Sequence, residues 1–241
     1  MEFFGEVLAW FTAPARWSGA DGIPIRLGEH LVLSALPLAV ALALALPAGA
    51  WIGHTGRAAN LVINLANVGR AIPSLAILAV SAMLLNRLLV DVGLRREAAE
   101  IETMIAMAAL AIPPILTNTY VGVSEVDREL VDAGRGMGMS EGQLLARVEL
   151  PIAAPVILAG IRTSAVQVVA TAPLGAVFGT GGLGRYLIDG IAQRAYEEVF
   201  AGALLIAAVS ILVELAFALV QRRAVSPGLR RALPSPAAPA T

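Results

Sequence analysis

The sequence of 241 residues contains no cysteine, no lysine and only two histidines, His30 and His54. Without cysteine, disulfide scaffolds and thiolate metal sites are excluded. Without lysine, the phosphate-binding loop G-x-x-x-x-G-K-[ST] is excluded, so ATP hydrolysis of that class would occur on another polypeptide. The net charge of −1 gives no argument for nucleic-acid binding. We therefore expect no cofactor, no metal and no nucleic-acid partner for this chain.

Charged residues are also scarce, at 15 % of the sequence, whereas 58 % of the residues are hydrophobic. The mean hydropathy is +0.78. Ordinary soluble domains contain about 25 % charged residues. The composition therefore predicts an all-α integral membrane protein that contacts lipid.

Uncharged or nearly uncharged runs of about 20 residues are long enough to cross the ~30 Å hydrocarbon core as helices. Five runs meet this condition, at 31–52, 61–85, 103–123, 152–171 and 199–220. Pro37 and Pro47 can kink the first span, and Pro113-Pro114 is expected to break the third. His30 and His54 are expected to flank the first span.

The ends of the chain differ from its middle. Residues 2–13 place Phe3, Phe4 and Phe11 on one face, which predicts a short helix at the membrane surface. If that segment crosses instead, the bundle has six spans. We divide the chain into an N-terminal interfacial segment 1–29, a transmembrane domain 30–223 and a Pro- and Ala-rich tail 224–241 that we expect to be disordered.

A charged island, the coupling loop 124–151, separates the third and fourth spans and cannot lie in lipid. Ser124 with Asp127, and Ser140 with Gln143, have the spacing of helix N-terminal caps. Gly134, Gly136 and Gly138 between these caps predict a sharp turn, because glycine reaches positive φ without a Cβ clash. The second helix is expected to end at Pro151.

The second helix of the island places Leu144, Leu145 and Val148 on one face, with Arg147 elsewhere. Two interpretations follow from the spacing. The apolar face either packs against the membrane helices of the same chain or binds a partner outside the membrane.

Polar side chains inside the spans are candidates for lining a solute path. A charge at this depth costs about 2.5 to 3.5 kcal/mol and should face protein or water. Arg70 is either a gate or a structural partner of a carbonyl or of Glu214. Ser164, Gln167 and Thr171 share a face and either line the path or bond to a neighbouring helix. The full set of path candidates is Asn67, Arg70, Asn118, Arg162, Ser164, Gln167 and Thr171.

The glycine-rich stretch 173–190 has no lysine and no preceding strand, so we do not assign nucleotide binding to it. We expect a re-entrant or extracellular turn there, because irregular backbone at membrane depth must be buried in protein or face a cavity.

The island resembles the motif of binding-protein-dependent ABC importer permeases, Glu-Ala-Ala, three residues, Gly, nine residues, then Ile-x-Leu-Pro. Here the motif reads Asp132-Ala133-Gly134, Gly138 and Val148-Glu149-Leu150-Pro151, with the spacing kept. Further strings, RAIPSLAILA, TNTY, AGRGMGM, RVELPIAAPVILAGIRT and GGLG, resemble the permease subunits of osmoprotectant importers for glycine betaine, choline or carnitine.

The resemblance implies a type I ABC importer permease fold in a bacterial cytoplasmic membrane. It implies two cytoplasmic ATPase subunits that bind MgATP, an extracytoplasmic solute-binding protein, and a second permease copy or a sister permease. It assigns ATPase coupling to Asp132, Ala133, Gly134, Gly138, Leu144, Leu145, Arg147, Val148, Leu150 and Pro151. It also places the island in the cytoplasm, since the arginines on the two sides number about eight and seven and hardly favour either orientation.

Three other functions are weighed against this one. A permease for another small solute such as methionine would share the fold. An intramembrane enzyme would need a nucleophile and base, or paired carboxylates, inside the membrane, and Glu214 is the only acid within the predicted spans. A passive channel would conduct solute without ATP.

Overall fold

The helices of this protein follow the hydropathy of its sequence. The computed structural model describes residues 2–60, 62, 64, 69 and 71–224. Within those residues the helices are α1 Glu2–Thr12, α2 Ile23–Thr55, α3 Ser74–Asp91, α4 Ala98–Ser124, α5 Arg128–Gly136, α6 Glu141–Leu144, α7 Leu150–Thr171, α8 Gly184–Gln193 and α9 Tyr196–Ala224. A π-helical turn, Leu145–Glu149, joins α6 to α7, and 3₁₀ turns lie at Pro14–Trp17 and Ala172–Phe178.

Among the described residues, five helices are long and apolar enough to cross a membrane: α2, α3, α4, the continuous helix Glu141–Phe178 that contains α7, and α9. This confirms the prediction of an all-α bundle with five spans. α2 runs from Ile23 to Thr55, so it begins before the predicted span and extends beyond it. His30 and His54 therefore lie within α2, which extends past the predicted span at both ends.

The second predicted span, 61–85, lies partly outside the described residues, and in its described part a helix boundary falls inside the predicted run. The helix there begins at Ser74, directly after Pro73, and continues to Asp91. Pro73 has no N–H to donate and disfavours helical backbone in the residue before it, so a helix boundary forms at this point. α3 thus continues through residues 86–91, beyond the end of the predicted span.

The third span shows no break at Pro113-Pro114, since α4 is continuous from Ala98 to Ser124. Pro113 is buried, and Asn118 Nδ2 donates to the carbonyl of Pro114 at 2.8 Å. The close approach of Gly160 in α7 to the Pro114 carbonyl shows that a neighbouring helix packs against this segment, which is how proline is tolerated in membrane helices.

α4 is the centre of the bundle because small residues on two neighbours let their backbones approach it. A Cβ on Gly49 of α2 would lie 2.8 Å from the carbonyl oxygen of Leu116, and one on Gly160 of α7 would lie 2.9 Å from that of Pro114. Met107 and Ile115 of α4 are fully buried between these helices. Such close approach of small residues is typical of helix packing in lipid.

At the end of the bundle where α2 begins, α1 packs on α9 and the glycine-rich turn packs on α2. The predicted helix at 2–13 is confirmed, and its Trp10 ring is buried beside Tyr186 with ring centroids 5.2 Å apart. Gly179 and Gly182 have positive φ, and the amide of Gly182 donates to Glu29 Oε2 at 2.7 Å. The stretch 173–190 thus forms a short 3₁₀ segment, a turn and α8. The predicted tail lies largely outside the described residues.

Candidate functional site

The charged island forms a short helix, a tight turn and a second short helix at the end of the bundle where α2 and α4 finish. We call residues 125–149 the foot. α5 starts at an Asp127 cap, whose carboxylate accepts from the amide of Glu129 at 2.9 Å. Ser124 is still inside α4 and donates to the carbonyl of Val121, so the predicted Ser124 cap is wrong by three residues.

Gly138 makes the turn between the two helices of the foot. Its φ is +84°, whereas Gly134 and Gly136 are helical, so only one of the three glycines reaches the left-handed region. The amide of Gly138 donates to the carbonyl of Arg135 at 2.9 Å, and the amide of Met139 donates to that of Gly134 at 3.2 Å. These two bonds are the Schellman arrangement that closes a helix on a left-handed glycine.

Gly134 has a packing role instead. A Cβ built there would lie 2.5 Å from Leu144 Cδ2, so the missing side chain lets α6 fold back onto α5. Leu144 is fully buried, with Val126 and Val131 in its cluster and Met139, Val148 and Ile152 around them. The foot therefore has a small apolar core of its own.

The burial of Leu144 changes the interpretation of the predicted docking face. Leu144 contacts its own chain. Leu145 is half-buried against the apolar cluster that contains Ile157, and Val148 is half-buried against the one that contains Val131. The described structure thus agrees with the interpretation in which this face packs on the chain itself. The exposed residues of the foot include Leu130, Asp132, Ala133, Met137, Gln143, Ala146 and Arg147.

The second helix starts as predicted and continues differently. Ser140 Oγ accepts from the amide of Gln143, and Gln143 Oε1 accepts from the amide of Ser140 at 2.9 Å, which confirms the capping box. Pro151 does not end the helix. It lies in the first turn of α7, where a missing amide is tolerated, and the wider π turn before it leaves room for the proline ring.

An exposed ion-pair network crosses the turn. Arg135 Nε donates to Glu141 Oε1 at 2.9 Å, and its Nη1 donates to Asp132 Oδ1 at 3.1 Å. The hydrogen bonds to the Glu141 carboxylate raise the pKa of Arg135 above its usual range. Asp132, the first residue of the motif, is thereby oriented by its own helix and remains largely exposed.

Two of the path candidates line a common cavity. Gln167 and Thr171 border a space of about 240 Å³ together with Leu110, Pro113 and Pro114 of α4. Ser164, on the same face, is fully buried and donates to the carbonyl of Ala111 at 3.0 Å. Both alternatives therefore apply to this stripe, since Ser164 bonds to a neighbouring helix and the other two border a cavity.

The remaining path candidates do not share one site. Asn118 is half-buried and bonds to Pro114 within its own helix. Asn67 and Arg70 lie outside the described residues. The acid that was suggested as a partner for Arg70 is instead paired with Arg162: Arg162 Nε donates to Glu214 Oε2 at 2.8 Å, and a second bond joins Arg162 Nη2 to Glu214 Oε1.

The Arg162–Glu214 pair joins the middle of α7 to α9 and is only partly covered by the chain. The exposed fractions of the two side chains are 33 % and 39 %. Gln221 extends the group, since its Nε2 donates to the carbonyl of Pro155 at 3.1 Å. Arg162, Glu214 and Gln221 border a second cavity of about 580 Å³, which Gln167 also borders.

Sequence reasoning missed one contact between α2 and the foot, that of His54 with Glu149. Their side chains meet at 2.6 Å although 95 residues separate them along the chain. The one signal was a carboxylate, Glu149, next to Leu150-Pro151 in an otherwise apolar approach to the fourth span. A sequence gives no indication that a histidine at the end of the first span lies beside it.

A helical bundle with five membrane-crossing helices and a charged, turned-back foot at one end defines a multi-pass membrane protein with a protruding intracellular or extracellular element. The chain belongs to the family described as binding-protein-dependent transport system inner membrane component, which it matches over residues 41–226.

Curated relatives and solved structures agree with that membership. The chain is 35 % identical to a carnitine transport permease protein, OpuCB, of Listeria monocytogenes over 86 % of this chain and 90 % of the relative. It is 32 % identical to a choline transport system permease protein, OpuBB, of Bacillus subtilis over 84 % of this chain and 88 % of the relative.

Among solved structures, an inward-facing MetNI methionine ABC transporter resembles the chain with a TM-score of 0.70 and 21 % identity, covering 85 % of this chain and 96 % of that one. This likeness shows the fold. The predicted fold, that of a type I ABC importer permease, is confirmed, as are the resemblance and the membrane location.

Proposed function

We propose that this chain is the translocating subunit of an ATP-driven importer for quaternary ammonium solutes such as glycine betaine, choline or carnitine. The observation that carries the proposal is the similarity to permeases named for these solutes, at 32 to 35 % identity along nearly their whole length. A methionine permease is less well supported, because the likeness to the methionine transporter concerns the fold at 21 % identity.

In this proposal the chain hydrolyses no nucleotide, and MgATP is bound by two ATPase subunits that dock on the foot from the cytoplasm. The exposed residues of the foot, such as Leu130, Met137 and Arg147, contact the ATPase. Leu144 acts from inside: it holds α6 on α5, so that the foot moves as one body. Gly138 fixes the turn, and the helix through Pro151 carries the movement into α7.

The path for the solute lies on the side of α7 and α9 that carries Arg162 and Glu214. A partly exposed ion pair in the middle of two membrane helices is expensive in lipid, where polar groups face protein or water. A second permease copy or a sister permease therefore covers this face. The space between the two copies, bordered also by Gln167, forms the path.

A solute with a fixed positive charge is normally held by an aromatic cage. The three tyrosines and three tryptophans of this chain are scattered along the sequence. We therefore place the selective cage on the separate extracytoplasmic binding protein, which docks at the end of the bundle opposite the foot.

Reconstitution tests the proposed substrate class. The permease is incorporated into liposomes with the ATPase and binding protein encoded beside it, and uptake of radiolabelled glycine betaine, choline, carnitine and methionine is measured. We expect at least one of the three quaternary ammonium solutes to accumulate with ATP and none without it. Accumulation of methionine alone would support the alternative permease, and flux without ATP would support a channel.

Site-specific crosslinking tests the proposed docking surface. Because the chain has no cysteine, single cysteines at Arg147, Met137 and Leu144 can be compared without background. With a short thiol-to-amine crosslinker, we expect Arg147→Cys and Met137→Cys to capture the ATPase. Leu144→Cys, which is buried, is expected to capture none.

The matched control for these variants is Leu212→Cys, on the exposed membrane face of α9. Capture of the ATPase by Leu144→Cys, or its absence at both exposed foot positions, would contradict the proposed surface.

A further inference from the structure

The last turn of α2 is attached to the foot by a histidine between two carboxylates. His54 Nδ1 lies 2.6 Å from Glu149 Oε2, and His54 Nε2 lies 3.1 Å from Glu141 Oε2. The side chains of His54 and Glu149 are 11 % and 6 % exposed. Both ring nitrogens therefore face carboxylate oxygens. An ionised carboxylate accepts hydrogen bonds and cannot donate one.

A doubly protonated imidazole fits this arrangement, because a neutral ring carries one N–H and could donate to one carboxylate only. The buried Glu149 carboxylate would be costly without a cationic partner. Other charged groups near the ring are Arg135, which binds Glu141 from α5, and Arg128 and Asp132, which border the same cavity of about 580 Å³. In its protonated form, His54 is thus placed to donate to both carboxylates and to compensate the charge of the buried Glu149.

The end of α2 that carries His54 is fixed to the bundle. A Cβ on Gly53 would lie 2.7 Å from Val123 Cβ and 2.9 Å from the carbonyl oxygen of Tyr120, both in α4. Gly49, one turn earlier, makes the same close approach. Force applied to His54 therefore reaches α2 and α4 together.

Glu149 is the last residue of the π turn, next to the position where the foot becomes α7. The foot consequently has three attachments to the bundle. Two are backbone connections, one from α4 through Ser124 and one through Pro151 into α7. The third is the contact of Glu149 with His54, which joins the start of α7 directly to the α2–α4 pair.

We propose that His54 and Glu149 form an ionic clasp that makes α2 and α4 follow the foot when the ATPases close. This inference rests on the proposed function. His54 is in this sense a positioning residue. With the clasp intact, movement of the foot displaces α7 and the α2–α4 pair together, so the cavity beside Gln167, which α4 and α7 border, changes its open side. Without it, the α2–α4 pair is joined to the foot only by the backbone after Ser124, and its movement can lag behind that of α7.

The experiment uses the whole reconstituted transporter and measures two rates, glycine betaine uptake and ATP hydrolysis, whose quotient is the coupling ratio. His54→Leu leaves the Glu149 charge unpaired and is expected to lower both stability and coupling. In the double variant His54→Leu with Glu149→Leu, no unpaired charge remains, so the thermal unfolding midpoint is expected to return close to that of the parent. Its coupling ratio is expected to stay about tenfold lower, within the usual range of coupling effects.

Glu149→Gln, which keeps the shape and removes the charge, is the second variant and covers the case in which the leucine variants do not fold. We expect its coupling ratio to fall about fivefold. Asp189→Asn, which removes the Arg185–Asp189 pair on α8, is the matched control and should leave the ratio unchanged. A purely structural role would give parental coupling in the double variant and in Glu149→Gln, and that result would overturn the clasp.

A second readout does not depend on the solute. In the cysteine-free chain, Gln167→Cys is labelled with a water-soluble maleimide with and without ATP, in complex with the ATPase. We expect ATP to change the labelling rate in the parent and not in the clasp variants, and equal changes in both would overturn the proposal. If the labelling responds to ATP as expected but the parent moves none of glycine betaine, choline and carnitine, the proposed substrate class is wrong while the clasp stands.

Discussion

Replacing Gly49 with leucine is expected to prevent the bundle from assembling, since α2 and α4 touch at this residue. Its Cβ would lie 2.8 Å from the backbone oxygen of Leu116 and 2.8 Å from Thr119 Cβ. A backbone atom cannot rotate away as a side chain can, so the two helices would have to separate. Overpacking typically costs about 1 to 3 kcal/mol when a core can adjust, and more when it cannot. The measurement is the yield of monodisperse permease in detergent and its thermal unfolding midpoint.

Gly28→Leu is the control for this prediction. Gly28 lies in the same helix, and a Cβ there meets no atom within 4 Å. We expect its yield and unfolding midpoint to match those of the parent. A Gly49→Leu permease as stable as the control would show that α2 and α4 are not packed as described.

Removing one member of the Arg162–Glu214 pair is the second change with a large expected effect. In Glu214→Leu, Arg162 loses its carboxylate in the middle of α7, where an unpaired charge costs about 2.5 to 3.5 kcal/mol on insertion scales. Arg162→Leu leaves Glu214 alone and should also destabilise. The double variant Arg162→Leu with Glu214→Leu removes both charges, and replacing a whole pair by apolar residues is often neutral.

The unfolding midpoints of the two single variants and the double variant form a double-mutant cycle. We expect both single variants to be less stable than the parent and the double variant to recover most of the difference. Its solute uptake is nevertheless expected to remain low, because the pair borders the proposed path. Leu212→Val, on the exposed face of α9 and outside the lining of the cavity that the pair borders, is the control. Additive losses in the cycle would mean that the two charges do not interact, and parental uptake in the double variant would remove them from the path.

The corrections show where local sequence information ended. Hydropathy predicted five spans, because a run of about 20 apolar residues is sufficient to cross a bilayer wherever it occurs. It missed the start of α3, because Pro73 stopped a helix inside an apolar run. It predicted a break at Pro113-Pro114 that does not occur, since the cost of proline depends on the neighbours that pack around it.

In the foot, the capping box at Ser140 and the turn at Gly138 were predictable because each depends on residues a few positions apart. The role of Leu144 was not. An amphipathic helix shows that one face will be covered, but either a partner or the same chain can cover it. Here Val126 and Val131 of the same chain cover Leu144. They come into contact with it only because α6 folds back along α5.

The sequence by itself determined that this chain is a membrane protein, how many of its helices can cross the membrane, and that the charged island turns at a glycine. These are properties of composition and of short-range backbone chemistry. The tertiary structure alone decided which polar groups meet: His54 with Glu149, Arg162 with Glu214, and Ser164 with the carbonyl of Ala111. The reason is that such pairs form between residues about 50 to 100 positions apart, and only the packing of α2, α4, α7 and α9 brings them within hydrogen-bonding distance.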